Sequence, residues 1–366
     1  MELNIFSKNI KSSGFILENK ISSILSSNKW NVINNKYYID DVAKIAREID
    51  IIAYKAAKIE DIYVYTTLII SCKKNEDKIW ALLTKDLNKN DPNIDLEPIN
   101  NWSNHPIIKH QLTKNNFDKK SIPTGELYNK LFGTNKQIFA FQEMFKKNGK
   151  VDNDKNIFNS ITSLMKSQSY EMDSLSKRKK DRCVYFFHLL SIIDSELVLL
   201  DFSSEDIRAK EVSSQVYISN YIINGESVSS KINFMTTNGF DKLIINYNQL
   251  HKHNCKYTKN CHKEFFNEAF KSFDKRKILT SELKIKYGIK LKSLIYKELK
   301  IYEKFEITDI WKHNNKIQVD IKTQSNKLIY DLNDNNEIKN EISNMIEDIF
   351  KIKIENSIYF NDDIPF

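Results

Sequence analysis

Between Arg47 and Trp80 the hydrophobic positions gather into two β-rich runs, EIDIIAY and IYVYTTLIISCKK, with Asp50 inside the first and Ser71, Lys73 and Lys74 closing the second. Side chains on a strand alternate between faces, so Ser71 and Lys73 are expected to project together while Cys72 points the other way, toward the core. Ahead of these runs, Phe15, Ile21, Ile24 and Leu25 recur at helical spacing around Glu18, which predicts a helix over 14–29 with Ser12 or Ser13 as its N-cap. Trp30, Val32 and the run from Tyr37 to Ile39 predict a first strand or hairpin, so the local order is αβββ.

The pattern loosens after Trp80. Residues 85–125 are polar and Asn-rich and hold Pro92, Pro98, Pro106 and Pro123, and this stretch is read as part of an insertion of about 85–135. Gln137 to Tyr170 reads as helical in two pieces, the second with Ile157, Phe158, Ile161, Leu164 and Met165 on one stripe. CVYFFHLLSIID, SELVLLDF, YISNYII and KINFMTT predict four more strands, and Phe240 and Leu243 a short helix or connector. From residue 251 to 366 a smaller α+β unit is expected, with a lysine-lined helix at 282–304 that favours DNA or an acidic partner. The division is therefore 1–250 and 251–366, in a mixed α/β chain.

With 366 residues, 41% of them hydrophobic, the chain can bury one large or two ordinary cores. Lys+Arg 56 against Asp+Glu 48 gives a net charge of +8, compatible with a nucleic-acid partner without requiring one. Four cysteines, at 72, 183, 255 and 261, make no disulfide framework for this length, and no apolar leader or membrane span is visible, so a cytoplasmic protein without membrane contact is expected. Neither G-x-x-x-x-G-K nor G-x-G-x-x-G occurs, so any ATP-driven movement would fall to a separate ATPase subunit.

The chemistry centres on Asp50 and Lys73. An acid inside the apolar IDIIA strand is costly unless it meets a cation or a donor. Lys73 has two readings: the solvated end of a strand, or an ammonium that stabilises charge on a phosphorane. A carboxylate beside a lysine at one sheet edge suits Mg²⁺- or Mn²⁺-assisted attack on a phosphodiester. The basic run SKRKKDR, with Lys177, Arg178, Lys179 and Lys180, and also Lys74, are candidate phosphate contacts. Trp102, His105, His110 and the Lys119–Lys120 pair are weaker candidates for stacking and charge. His251, His253, Cys255, Cys261 and His262 fall close together and offer zinc-type ligands, but in no standard finger spacing, and a polar surface loop is the preferred reading.

GFILENKISSIL, EIDIIAYK and LIISCKKNEDKIW together resemble the PD-(D/E)xK, restriction-endonuclease-like nucleases, and more narrowly a bacterial group of them. The similarity runs weakly on through NIFNSITSLMKSQSYE and CVYFFHLLSIIDSELVLLDF, covering roughly residues 14–250. It implies an αβββαβ core with a mixed sheet, a metal-dependent DNA endonuclease in bacterial defence, and a homodimer or a partner subunit. Asp50 and Glu18 would hold the metal and Lys73 would act on the phosphate. Ser71 stands where the group has Glu, so either Glu18, Glu48 or Glu76 fills the vacancy, or the chain binds DNA without cutting. Restoring Glu at position 71 is expected to raise cleavage in the first case only.

Overall fold

The structure is a computed structural model describing residues 3–88, 90, 97–114, 121–313 and 316–363. It divides into two units, Met1–Lys259 and Asn260–Phe366. The first begins α1 (Leu3–Asn9), α2 (Phe15–Ser27), β1 (Asn31–Ile39), β2 (Ala46–Ile59), β3 (Ile62–Lys74) and β4 (Lys78–Asp86). Next come β5 (Asn101–Ser103), α3 (Pro106–Leu112), α4 (Glu126–Leu131), β6 (Lys136–Phe145) and α5 (Lys155–Arg178). It closes with β7 (Cys183–Asp194), β8 (Leu197–Asp201), β9 (Arg208–Val212), β10 (Ser214–Ile223), β11 (Glu226–Thr236) and α6 (Thr237–Asn267), and the division falls inside α6.

The main sheet runs β1-β2-β3-β7-β11-β10, with β5 also on β7. β1 to β3 form an antiparallel meander, and β7 joins β3 in parallel after the crossover through α5. Every residue of β7 except the last is buried, as a central strand covered on both faces requires. The covers follow from alternation. Cys183, Tyr185, Phe187 and Leu189 pack with Ile69 and the α5 residues Ile157, Ile161, Leu164 and Met165. Leu190 and Ile192 pack with Leu68, Ile70 and Cys72 against Leu17, Ile21 and Leu25 of α2 and against α6. A second sheet, β6-β4-β8-β9, continues from β3 and β7 through β4 and β8, which are again parallel.

Several expectations change. The apolar stripe of α2 is Leu17, Ile21 and Leu25, with Phe15 exposed, and its N-cap is Gly14, not Ser12 or Ser13. The first "helical" piece after Gln137 is strand β6, because KQIFAFQEMF pairs along β4 from Lys78 to Asp86; cross-strand pairing outweighs local propensity. In α5 Phe158 is exposed while the rest of its stripe is buried. The connector at Phe240 is the start of a 31-residue helix, whose Phe240, Ile244, Tyr247 and Leu250 recur at helical spacing and are all buried. Pro92 lies outside the described residues.

The second unit contains α7 (Phe273–Leu299), β12 (Phe305–His313), β13 (Lys316–Thr323), α8 (Asn326–Asp334), α9 (Asn336–Phe350) and β14 (Tyr359–Asp362). Its sheet is β12-β13-β14. The buried pair Arg276–Asp309, 3.1 Å apart, ties α7 to β12.

Candidate active site

The β2–β3 ladder ends at the Ile51–Ile70 pair, and past it the two chains carry Asp50 and the Ser71–Lys73 segment. There the Asp50 carboxylate, 21% exposed, accepts the Cys72 amide hydrogen at 2.5 Å and lies 3.8 Å from the Lys73 ammonium, 30% exposed. The acid thus has both the donor and the cation that its place in an apolar strand demands. Glu18 reaches the same corner from the first turn of α2, which Leu17, Ile21 and Leu25 anchor to the sheet. Its carboxyl is raised above the ordinary glutamate range by burial, then by repulsion from Asp50 and from Glu48, with Lys73 opposing. Glu48 is the member that sequence reasoning underweighted. It lies two residues before Asp50 on the same strand, and that spacing was the available signal.

Glu18 and Asp50 thus share the corner with the Lys73 ammonium, and Glu48, exposed and hydrogen-bonded by Asn35, adds to the negative charge that Glu18 feels, which a divalent cation would relieve. Their oxygens are hard donors of the kind Mg²⁺ takes, and they are not all gathered within 4.8 Å of one another. Mg²⁺ keeps several waters and binds through one or two carboxylates, so Asp50 with Glu18 offers the donor type it takes. The raised Glu18 carboxyl has a consequence for stability. Ionised Glu18 costs nothing below the ordinary carboxyl pKa near 4.5, and the cost develops as pH rises through its higher folded value. Glu18→Gln is expected to stabilise the metal-free protein at pH 7 by under about 1 kcal/mol after solvent screening, and not at pH 4. Thermal melts at the two pH values check this, and added Mg²⁺ should reverse the sign at pH 7 by stabilising the parent more.

Ser71 departs from expectation. It is 0% exposed, and among the described residues its hydroxyl has no hydrogen-bond partner. It pairs in register with Ser191, whose hydroxyl contacts Ser160 of α5 at 2.7 Å. Position 71 therefore lies between the sheet and α5, away from solvent. Cys72 lies on the α2 side, as alternation predicts, and burial pushes its thiol up, which makes it unreactive.

No family model, curated protein or solved structure matches this chain.

The candidate phosphate contacts do not gather at this corner. In the β3–β7 register Tyr63 faces Cys183 and Lys73 faces Ile193, ten steps along the strand, so the basic run before Cys183 adjoins the far end of the sheet, about 33 Å away. There Arg178 bonds Glu171, and Lys179 lies over the rings of Tyr65 and Tyr185. Lys177 and Lys180 are exposed. Lys74 is at the right end, but its ammonium donates to the Lys11 carbonyl at 2.7 Å and pairs with Glu76 at 2.5 Å. That contact also uses Glu76, leaving Glu48 as the additional carboxylate that acts on Glu18. His105 is buried and caps α3 by accepting the Ile107 amide hydrogen, while its other nitrogen approaches Asp61 and Arg182. Trp102 packs edge-on against Tyr185. His110 is half-buried on α3, and Lys119 and Lys120 lie outside the described residues.

The histidine–cysteine cluster is helical, contrary to the surface-loop reading. His251 contacts Thr66 of β3 and lies 3.8 Å from Cys255, one turn on. His253 is two positions further than His251, so it faces another direction and meets the Ser121 carbonyl. Cys261 is buried, and His262 packs edge-on against Phe266. These partners spread the residues around the helix, so His251, His253, Cys255, Cys261 and His262 do not converge as one ligand set. None of the four cysteines is in a disulfide. Among the described residues no helix is long and apolar enough to cross a membrane.

Proposed function

We propose that this chain is a Mg²⁺- or Mn²⁺-dependent DNA endonuclease of the PD-(D/E)xK, restriction-endonuclease-like kind. The observation that carries this reading is the Asp50 carboxylate 3.8 Å from the Lys73 ammonium, with the raised Glu18 carboxyl at the same corner. Support comes from the order α2–β1–β2–β3, followed after β4, β5, α3, α4 and β6 by α5 and by β7 parallel to β3, which is compatible with the αβββαβ core that the resemblance implies. Asp50 and Glu18 would hold the metal, with Glu48 as a further oxygen donor. The metal supplies polarisation of the phosphate and acidification of a bound water. Lys73 is free to move the short distance from Asp50 to a phosphate oxygen, where its charge offsets what develops as water attacks phosphorus. The Cys72 amide keeps Asp50 oriented throughout.

Cutting both strands of a duplex takes two such corners, which points to a homodimer or a partner subunit. A role in bacterial defence follows from the resemblance alone. The burial of Ser71 favours a second reading, in which the chain binds DNA without cutting, because no carboxylate stands where the group has one. Supercoiled plasmid with Mg²⁺ or Mn²⁺ is the direct test: open circles should form with either ion and not with EDTA. Plasmid that stays supercoiled while its mobility shifts with protein would select the second reading.

A further inference from the structure

In the second unit, the end of α7, the segment leading into β12 and the end of β13 enclose an open groove of ≈ 840 Å³. Its lining is unusual for a protein surface. Tyr302 is 81% exposed and Ile289 89%, and Tyr296 lies against Tyr302 with ring centroids 4.2 Å apart. Exposed rings and aliphatic side chains around one concavity mark a surface meant to be covered.

The rim decides what covers it. Lys292, Lys304 and Lys322 border the groove and are exposed, and among the described residues Lys292 and Lys304 have no carboxylate within ion-pair distance. The nearby acids are engaged. Glu306, which faces Lys322 across the strand pair, is held by Lys284 at 2.5 Å, and Glu303 accepts from Thr323 and the Gln324 amide. Of the seven lysines between 284 and 304, Lys284, Lys286, Lys290 and Lys297 pair with Glu306, Asp348, Glu341 and Glu298, so the uncompensated charge lies at the rim, where a second copy presenting the same lysines would be repelled. The occupant must bring flat apolar faces together with regularly spaced negative charge.

We propose that this groove binds single-stranded nucleic acid, with a base stacked on Tyr302 and backbone phosphates on Lys292, Lys304 and Lys322. Stacking on an exposed ring beside a lysine rim is how strands are held without regard to sequence. The proposal does not depend on cleavage by the first unit, and its test needs no metal.

Full-length protein in EDTA would be titrated into fluorescein-labelled dT15 and rU15 and read by anisotropy. Binding of either oligonucleotide is expected, with log affinity falling as log salt rises. Tyr302→Ala should weaken it about tenfold or more, and Tyr302→Phe should retain it. Lys292→Ala, Lys304→Ala and Lys322→Ala combined should reduce the salt slope by about two. Because these side chains are exposed, unchanged thermal melts are expected for all of them. Equal affinity of parent and Tyr302→Ala would overturn the proposal. So would preferential binding of a fluorescein-labelled oligo-glutamate peptide, which would identify an acidic protein segment as the occupant. Loss of plasmid nicking with oligonucleotide binding intact would remove the nuclease reading and leave this one standing.

Discussion

Asp50→Ala and Lys73→Ala should each cut metal-dependent plasmid nicking by at least about 10²-fold, the size expected when one charged group facing the reacting phosphate is removed. Neither should unfold the protein. Asp50 lies just past the end of the β2–β3 ladder, and losing it frees one amide, a cost of about 1 kcal/mol; Lys73 is 30% exposed and leaves Asp50 bonded to the Cys72 amide. Nicking rates against supercoiled plasmid, with thermal melts as the folding control, separate lost chemistry from lost structure. Metal binding gives an independent readout, since a cation at a hundredfold its Kd stabilises the parent by about 2.7 kcal/mol and should stabilise Asp50→Ala far less. Equal nicking by both variants and the parent would remove this corner from the chemistry.

Ser71→Glu should destabilise the fold by about 3–5 kcal/mol, because it places a charge between the sheet and α5, where Ser71 is 0% exposed and in register with Ser191, itself bonded to Ser160 of α5. Ser71→Ala should stay within about 1 kcal/mol of the parent, since the hydroxyl it removes has no partner among the described residues. Urea denaturation at pH 7 and pH 4 tests both. The introduced carboxyl would have a raised folded pKa, so its penalty grows above the ordinary glutamate value and shrinks at pH 4. The expectation that this substitution restores a metal ligand thus gives way to a packing cost. A variant as stable as the parent and faster at cutting would reverse that conclusion and place position 71 in the site.

Much of the candidate site was legible because it obeys local rules. An acid in IDIIA has to meet a donor or a cation, and the alternation of IYVYTTLIISCKK put Cys72 in the core. The elements from α2 to β3 were legible for the same reason: each has one buried stripe at its own period. The strand β6 and the long helix α6 were not. β6 is a strand because β4 lies beside it, and no window of sequence contains that neighbour. The polar stretch HKHNCKYTKNCHKEFF is helical because Phe240, Ile244, Tyr247 and Leu250 upstream bury a stripe against β3 and β7 that carries the helix onward.

The chain's own order of residues determined the pairing of an acid with an amine, because adjacent antiparallel strands bring their ends together whatever else surrounds them. Which other charges join them was decided only in three dimensions. Glu18 and Glu48 enter through the seating of α2 and the parting of β2 from β3, whereas Ser71 is withdrawn by the packing of α5. The basic run before Cys183 is set at the opposite end of the sheet by the parallel register of β3 and β7. Those outcomes depend on distances between elements remote in the chain, and a linear pattern of residue types carries no such distances.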